Sequence, residues 1–229
     1  MTIKNKSKEV FVKKIRKKVS AFIVKHSMIE KDDRILIGFS GGKDSIVLLD
    51  ILNNIKKKVN FNFEIFSLMI GNSHIELSKF NDVELKILEF VPVNIKREKN
   101  SYCHICSRIR RGTLYEYASL NGFNKIALGH HLDDVIETYF LNQFYQSKLE
   151  TMKPIYKAQN SLMVIRPMHF LPETDIIKYF EFMNFKKLNT VCPFGVTKTK
   201  RSYIKNLLKE LSDIEKYNIY HSLETCCFN

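Results

Sequence analysis

Ser40-Gly41-Gly42-Lys43-Asp44-Ser45 lies directly after the apolar run Ile35-Leu36-Ile37-Gly38-Phe39 and directly before Ile46-Val47-Leu48-Leu49. The order reads as strand, tight turn, helix. Two adjacent glycines allow positive φ without steric cost, so successive backbone N–H groups can converge on an anion. Ser40 and Ser45 add hydroxyl donors, and Ser45 falls in the first helical turn, where unpaired amides and the helix dipole favour a phosphate. A carboxylate beside a bound anion repels it unless a cation lies between them, so Asp44 points to a magnesium-bound nucleotide.

The spacing is neither the Walker loop nor the dinucleotide fingerprint. It resembles the PP-loop, SGGxDS, of the ATP pyrophosphatase superfamily, whose members split ATP between the α and β phosphates and adenylate a substrate oxygen. That resemblance implies that Ser40, Gly41, Gly42, Lys43, Asp44 and Ser45 bind ATP.

Beyond this loop, apolar runs and amphipathic stretches alternate. Strands are expected at Ile35–Phe39, Phe61–Ile70, Val91–Ile95, Lys125–Gly129 and Met163–Arg166. Helices are expected up to Lys57, over Leu77–Phe90, Ile105–Leu120 and His131–Gln146, from Pro172 to Phe185, and over Tyr203–Leu211. Such alternation implies right-handed βαβ units and an α/β fold with a doubly wound, mainly parallel sheet, whose ligands gather at the carboxyl ends of the strands. Residues 4 to 18 carry eight Lys or Arg, while Phe11, Ile15, Val19 and Phe22 recur at helical spacing. This is a basic amphipathic helix docked by one face. The expected organisation is a basic helical extension over residues 1–30, an α/β core over 31–195 and a second basic helical extension over 196–229.

The net charge of +13, from 37 Lys and Arg against 24 Asp and Glu, favours an extended anionic partner, with nucleic acid first. No long apolar stretch or secretory signal is present, so a cytoplasmic chain without membrane attachment is expected. Five cysteines in a reducing compartment argue for metal or catalytic work rather than a disulfide framework.

Cys103-His104-Ile105-Cys106 places two thiols three residues apart, followed by Arg108, Arg110 and Arg111. Cationic neighbours and a helix N-terminus favour the thiolate. Cys192, far along the chain, could complete a trio. Three protein ligands leave a fourth metal position open, as a reacting site requires. In Gly129-His130-His131-Leu132-Asp133-Asp134, the glycine permits close backbone approach, and Asp134, which shares a helical face with Glu137, can serve magnesium or a ribose. Simple compensation of the helix dipole is the competing role for these acids.

The run Cys103 to Tyr115, then Lys125 to Thr138, the stretch from Leu141 to Pro154, and Cys192-Pro193 leading to Thr199-Lys200-Arg201 together resemble the tRNA 2-thiocytidine synthetase family. The resemblance covers most of residues 35 to 211. It implies a 4Fe-4S cluster on Cys103, Cys106 and Cys192, with the fourth iron holding sulfide. It also implies ATP and Mg2+ activating the C2 oxygen of an anticodon-loop cytidine, position 32, and sulfur displacing AMP. The implied partners are tRNA and a sulfur donor such as a cysteine desulfurase or free sulfide, and relatives are commonly dimeric. Thiolates accept zinc as well as iron, and the residues alone leave that choice open. Cys192 stands alone in its segment, where many members carry a second pair. Cys226 and Cys227 are open to three roles: inert thiols, a persulfide relay, or a replacement for Cys192. The competing activities are a lysidine-synthetase-like ligase, which shares the adenylation but needs no cysteine trio, thiolation of a different tRNA nucleoside, and a nucleotide-binding iron–sulfur sensor or RNA-binding module without turnover.

Overall fold

The computed structural model describes residues 3–71, 83–88, 102–158, 161–188 and 199–228. Its elements, in chain order, are α1 (Ile3–Lys25), β1 (Arg34–Gly38), α2 (Lys43–Lys56), β2 (Glu64–Ile70), β3 (Glu84–Leu88), α3 (Tyr102–Leu120) and β4 (Lys125–Ala127). They continue with α4 (Leu132–Gln146), β5 (Ile155–Lys157), β6 (Met163–Ile165), α5 (Glu173–Phe182), α6 (Lys200–Leu207), a single 3-10 turn and α7 (Asp213–Cys226). The six strands form one sheet in the order β3-β2-β1-β4-β6-β5, parallel except for β5, which pairs antiparallel to β6.

β1 is central because its side chains are apolar on both faces. Ile35 and Ile37 pack with Val47, Leu48, Ile51 and Leu52 of α2, while Leu36 packs with Leu114 and Ala118 of α3. Continuous apolar runs of this kind belong to parallel strands covered on both sides. From β1 the chain builds outward in one direction through β2 and β3, then in the other through β4 and β6. The reversal opens a crevice between the carboxyl ends of β1 and β4.

The amphipathic N-terminal helix is part of the core. Ile15, Val19 and Phe22 of α1 are buried as their spacing predicts, and Val12 and Ile23 join them. Arg16 ties α1 to two neighbouring helices, with Nη2 2.7 Å from Asp50 of α2 and Nε donating to the Tyr179 hydroxyl of α5 at 2.7 Å. Removing one partner from such a half-buried set would leave another unpaired.

The helix expected over Leu77–Phe90 requires correction. Residues 84–88 form β3, paired in parallel with β2 in the register Phe66↔Glu84 to Ile70↔Leu88. Val83, Leu85 and Ile87 alternate with Glu84 and Lys86, a period of two within a stretch whose wider apolar spacing mimics a helix. Pairing with β2 decides between the two periods. The strand expected over Val91–Ile95 lies outside the described residues. β5 has no counterpart among the strands expected from the sequence.

His169 lies fully buried where α1, α7 and the segment before β5 meet. Its Nε2 donates to the Met152 carbonyl at 2.8 Å, so Nδ1 accepts from the Tyr220 hydroxyl at 2.8 Å and the ring is neutral. Burial pushes its pKa down to about 3. The depressed value means that the unfolded chain takes up a proton near pH 6.5 that the folded chain refuses. The resulting stability is present above pH 6.5 and lost progressively toward pH 3. At pH 5 the loss is about 2 kcal/mol. Urea unfolding of His169→Gln should show a smaller difference between pH 7 and pH 5 than the parent chain, and parallel pH profiles would contradict this account.

Candidate active site

The turn after β1 is shaped by two glycines and two serines. Gly41 has φ 75°, the left-handed region, and a Cβ there would lie 2.9 Å from the Leu188 side chain. Its carbonyl accepts a hydrogen bond from Leu188 N at 3.0 Å. Ser40 Oγ accepts from Gly42 N at 3.3 Å, and Ser45 Oγ donates to the Gly42 carbonyl at 2.9 Å. Gly42 is the N-cap of α2 and offers no side-chain cap. The first-turn amides of α2 are therefore left for an anion.

Gly129 follows β4 and packs against this turn. A Cβ at position 129 would lie 3.1 Å from the Asp44 carbonyl carbon, 3.2 Å from its oxygen and 3.3 Å from Ser45 N. Gly129→Ala must displace the turn by a few tenths of an ångström. An approximately tenfold weaker ATP affinity is expected, against a stability loss of about 1 kcal/mol, because misplacement of a binding loop costs more than the added methyl. Nucleotide titration beside thermal melts checks this, and unchanged affinity would show that the close packing is dispensable.

The crevice at the switch point is a cleft of about 200 Å3. Gly38, Phe39 and Ser40 line one side, Leu128 and His130 the second, and Ser107, Arg110 and Arg111 of α3 the third. Cys106 is half-buried on α3 immediately before Ser107. Cys103 belongs to the first turn of the same helix, so positions 103 and 106 share a helical face. The side chain of Cys103 and the whole of Cys192 lie outside what the structure describes.

A network of alternating charges joins α2, α4, α5, α6 and α7 beside the turn. His131, the buried N-cap residue of α4, has Nε2 3.8 Å from Asp44 Oδ1 and 3.4 Å from Asp134 Oδ2, while its Nδ1 is 3.6 Å from Asp133 Oδ2. Lys43 Nζ lies 2.7 Å from Glu173 and 3.0 Å from Asp44. Arg201 of α6 bonds Asp134 through Nη2 and Glu137 through Nε, the latter at 2.9 Å. Asp133 accepts from Glu173 N at 2.6 Å and pairs with Lys216 of α7 at 2.7 Å.

Burial and these partners work against each other. Burial opposes charge on His131, yet the carboxylates of Asp133, Asp134 and Asp44 raise its pKa. Lys43 is raised in the same way, the desolvation outweighed by Glu173 and Asp44. Burial also opposes ionisation of Asp133 and Asp134, but His131 and Lys216 hold the first well below the usual carboxylate range. His131, His130 and Arg201 lower the second. Glu137 is raised because burial exceeds the effect of Arg201. His130 is pushed down to about 4 by burial, and its Nδ1 accepts from Arg166 at 3.1 Å. Asp44 Oδ1 is buried and has no aligned donor, even though Lys43 Nζ is close. A buried carboxylate oxygen that is ion-paired but accepts no aligned hydrogen bond keeps a lone pair that suits a cation.

A PP-loop domain model matches residues 11–189. The chain is 38% identical over 211 residues to the tRNA-cytidine(32) 2-sulfurtransferase of Shewanella denitrificans, with 86% of this chain and 65% of that one covered. It is also 38% identical over 212 residues to the protein of that name from Geotalea uraniireducens, with 86% and 84% covered. This chain belongs to the tRNA 2-thiocytidine synthetase family of PP-loop proteins. It spans about two thirds of the length of the Shewanella relative and most of the Geotalea one. Among solved structures, the U34-tRNA thiolase NcsA from Methanococcus maripaludis with its 4Fe-4S cluster matches with TM-score 0.76 at 23% identity, covering 95% of this chain and 81% of that one. That likeness establishes the fold, and the expected doubly wound sheet is the one observed.

Within this family frame, the structure brings Ser40, Gly41, Gly42, Lys43, Asp44, Ser45, Gly129 and Asp134 to one edge of the sheet, with Cys106 on the adjoining helix. His131 carries more of the site than the sequence reading assigned it. Glu173, Arg201 and Lys216 enter the network without having been read as site residues. Arg201 meets Asp134 across 67 positions, and no local pattern announces such a pair. Among the described residues no group of three or more His, Cys, Asp or Glu is arranged to enclose a metal ion, and no helix is long and apolar enough to cross a membrane.

Proposed function

We propose that this chain is an ATP-dependent tRNA sulfurtransferase that adenylates the C2 oxygen of cytidine 32 in the anticodon loop and replaces it with sulfur. One observation carries the reading: the PP-loop serine Ser40 and residues 107, 110 and 111 of the helix bearing Cys103 and Cys106 line a single cleft. Activation and sulfur delivery are thereby drawn to the same place. A ligase that attacks with an amine has no use for a thiol pair beside its nucleotide.

The reaction has two substitutions. The C2 oxygen attacks the α phosphorus and pyrophosphate leaves; sulfide then attacks C2, and AMP departs with the original oxygen. No electrons are gained or lost overall. Oxygen on a pyrimidine is a poor leaving group, so adenylation must come first. The α2 amides, Ser40 and Ser45 hold the polyphosphate, and Lys43 stabilises its charge. Asp44 Oδ1, which accepts no aligned hydrogen bond, fits a magnesium ion, which Asp44, with Asp134, would hold and which would offset phosphate charge. His131, lying between these two carboxylates, offsets their mutual repulsion. Arg201 orients Asp134.

The half-buried Cys106 thiol, one helical turn from position 103, suits an iron–sulfur cluster held with Cys103 and Cys192. When bound, that cluster supplies the sulfur nucleophile at its open iron. Arg110 and Arg111 attract the nucleic acid to the cleft mouth. An RNA loop can splay its base into such a site, whereas a helical base cannot enter. The donor assigned is a cysteine desulfurase or free sulfide, the compartment is the cytoplasm, and the assembly is a homodimer.

Protein reconstituted with iron and sulfide without oxygen, then given ATP, Mg2+ and tRNA, should yield AMP, pyrophosphate and 2-thiocytidine, the last identified by nucleoside mass spectrometry. AMP release that ignores tRNA, with no thiolated nucleoside, would overturn the proposal.

A further inference from the structure

α4 and α6 carry aromatic side chains outside the core. Phe144 and Tyr145, near the end of α4, are 52% and 41% exposed, and Tyr203 of α6 is 59% exposed. The rings of Tyr139, Phe140, Phe144 and Tyr145 follow one another edge to face, at centroid spacings of 5.6, 5.8 and 6.5 Å. Lys200 Nζ lies 4.3 Å from the centre of the Tyr145 ring. Lys200 and Tyr203 stand one turn apart on the same face of α6. A single exposed ring needs no explanation, but a contiguous set does.

Two features of this patch identify its occupant. Aromatic faces interleaved with a lysine, on a chain of net charge +13, are complementary to unpaired bases and the phosphates that link them. The patch is also tied to the active site, because Arg201, the residue after Lys200, bonds Asp134 and Glu137. From Asp134 to Tyr145 the helix axis advances about 16 Å at 1.5 Å per residue. At about 3.4 Å per stacked nucleotide, that is the reach of a few bases.

We propose that Phe144, Tyr145 and Tyr203, with Lys200, form a stacking platform for unpaired bases of the RNA loop that carries the reacting nucleotide. The proposal rests on the function given above and deepens it by naming where the loop is gripped. The rings hold the flanking bases by their π faces, which leaves the choice of reacting base to the cleft. Lys200 lies over one face of Tyr145 and meets the connecting phosphate, and the base takes the other face.

The test compares the parent protein with Tyr145→Ala/Tyr203→Ala, Tyr145→Phe and Lys200→Gln, using the same tRNA and its isolated anticodon stem-loop. The double variant should bind both RNAs about tenfold or more weakly, while ATP affinity, iron content and melting temperature stay at parent values. Tyr145→Phe, which keeps the ring, should bind like the parent. Lys200→Gln should lower the slope of log Kd against log salt by about one. Parent-like RNA affinity in the double variant would overturn the platform. So would unchanged affinity with a dimer converted to monomer, which would make this face a contact between two copies. A parent protein that binds no tRNA would instead bring down the functional reading, and the platform with it.

Discussion

Asp44→Asn is expected to lower tRNA-dependent AMP release at least several hundredfold, with iron content and fold intact. Asparagine preserves the size of the side chain and Lys43 retains Glu173 at 2.7 Å, so the turn should keep its shape. What disappears is the charged oxygen that lies buried without an aligned donor, next to the amides that open α2. Removing one preorganised charge or donor from a transition state costs roughly 10^2–10^3 in rate. A weaker hold on magnesium, whose charge would offset that of the phosphates, would add to that. The measurement is AMP and pyrophosphate formation under saturating ATP and Mg2+, with the iron content of each preparation determined alongside. AMP formation at the parent rate would remove Asp44 from the adenylation machinery.

Cys106→Ala is expected to abolish thiolation while sparing nucleotide binding, the complementary separation. The parent should carry about four irons per chain after reconstitution, and the variant essentially none in the 4Fe-4S state. Cys103→Ala and Cys192→Ala should behave alike. Cys226→Ala/Cys227→Ala should retain the cluster. The Sγ atoms of this last pair are 2.9 Å apart, and Cys227 donates to the Leu149 carbonyl. Leu149 lies just past the end of α4, some 20 Å along the helix axis from the acids at its start. Burial, the Cys226 thiol and the charge on Glu150 push the Cys227 thiol up to about 11, which makes it a poor thiolate at neutral pH. A cluster that survives Cys192→Ala but is lost when Cys226 and Cys227 are replaced would reassign the third ligand.

Local chemistry explains what the sequence made legible. β1, its turn and α2 are continuous in the chain, and the glycines and flanking apolar residues act over a few positions, so the motif declares itself. α1 was equally readable, because Ile15, Val19 and Phe22 repeat at helical spacing and all three are buried. β3 was not, since Val83, Leu85 and Ile87 fit a period of two and a wider helical spacing at once, and only the neighbouring strand separates them. β5, three residues long, is too short for a period. The charge network was hidden for a different reason. Glu173, Arg201 and Lys216 are ordinary surface-type residues in sequence, and they acquire a role only because α5, α6 and α7 fold back over the start of α4.

The hydrogen bond from Leu188 N to the Gly41 carbonyl has a mechanical consequence. It moors the chain to the nucleotide turn just four residues ahead of Cys192. At no more than about 3.6 Å per residue, Cys192 lies within roughly 14 Å of that mooring. A displacement of the glycine turn therefore pulls, through one hydrogen bond, on the same stretch of chain that leads to Cys192.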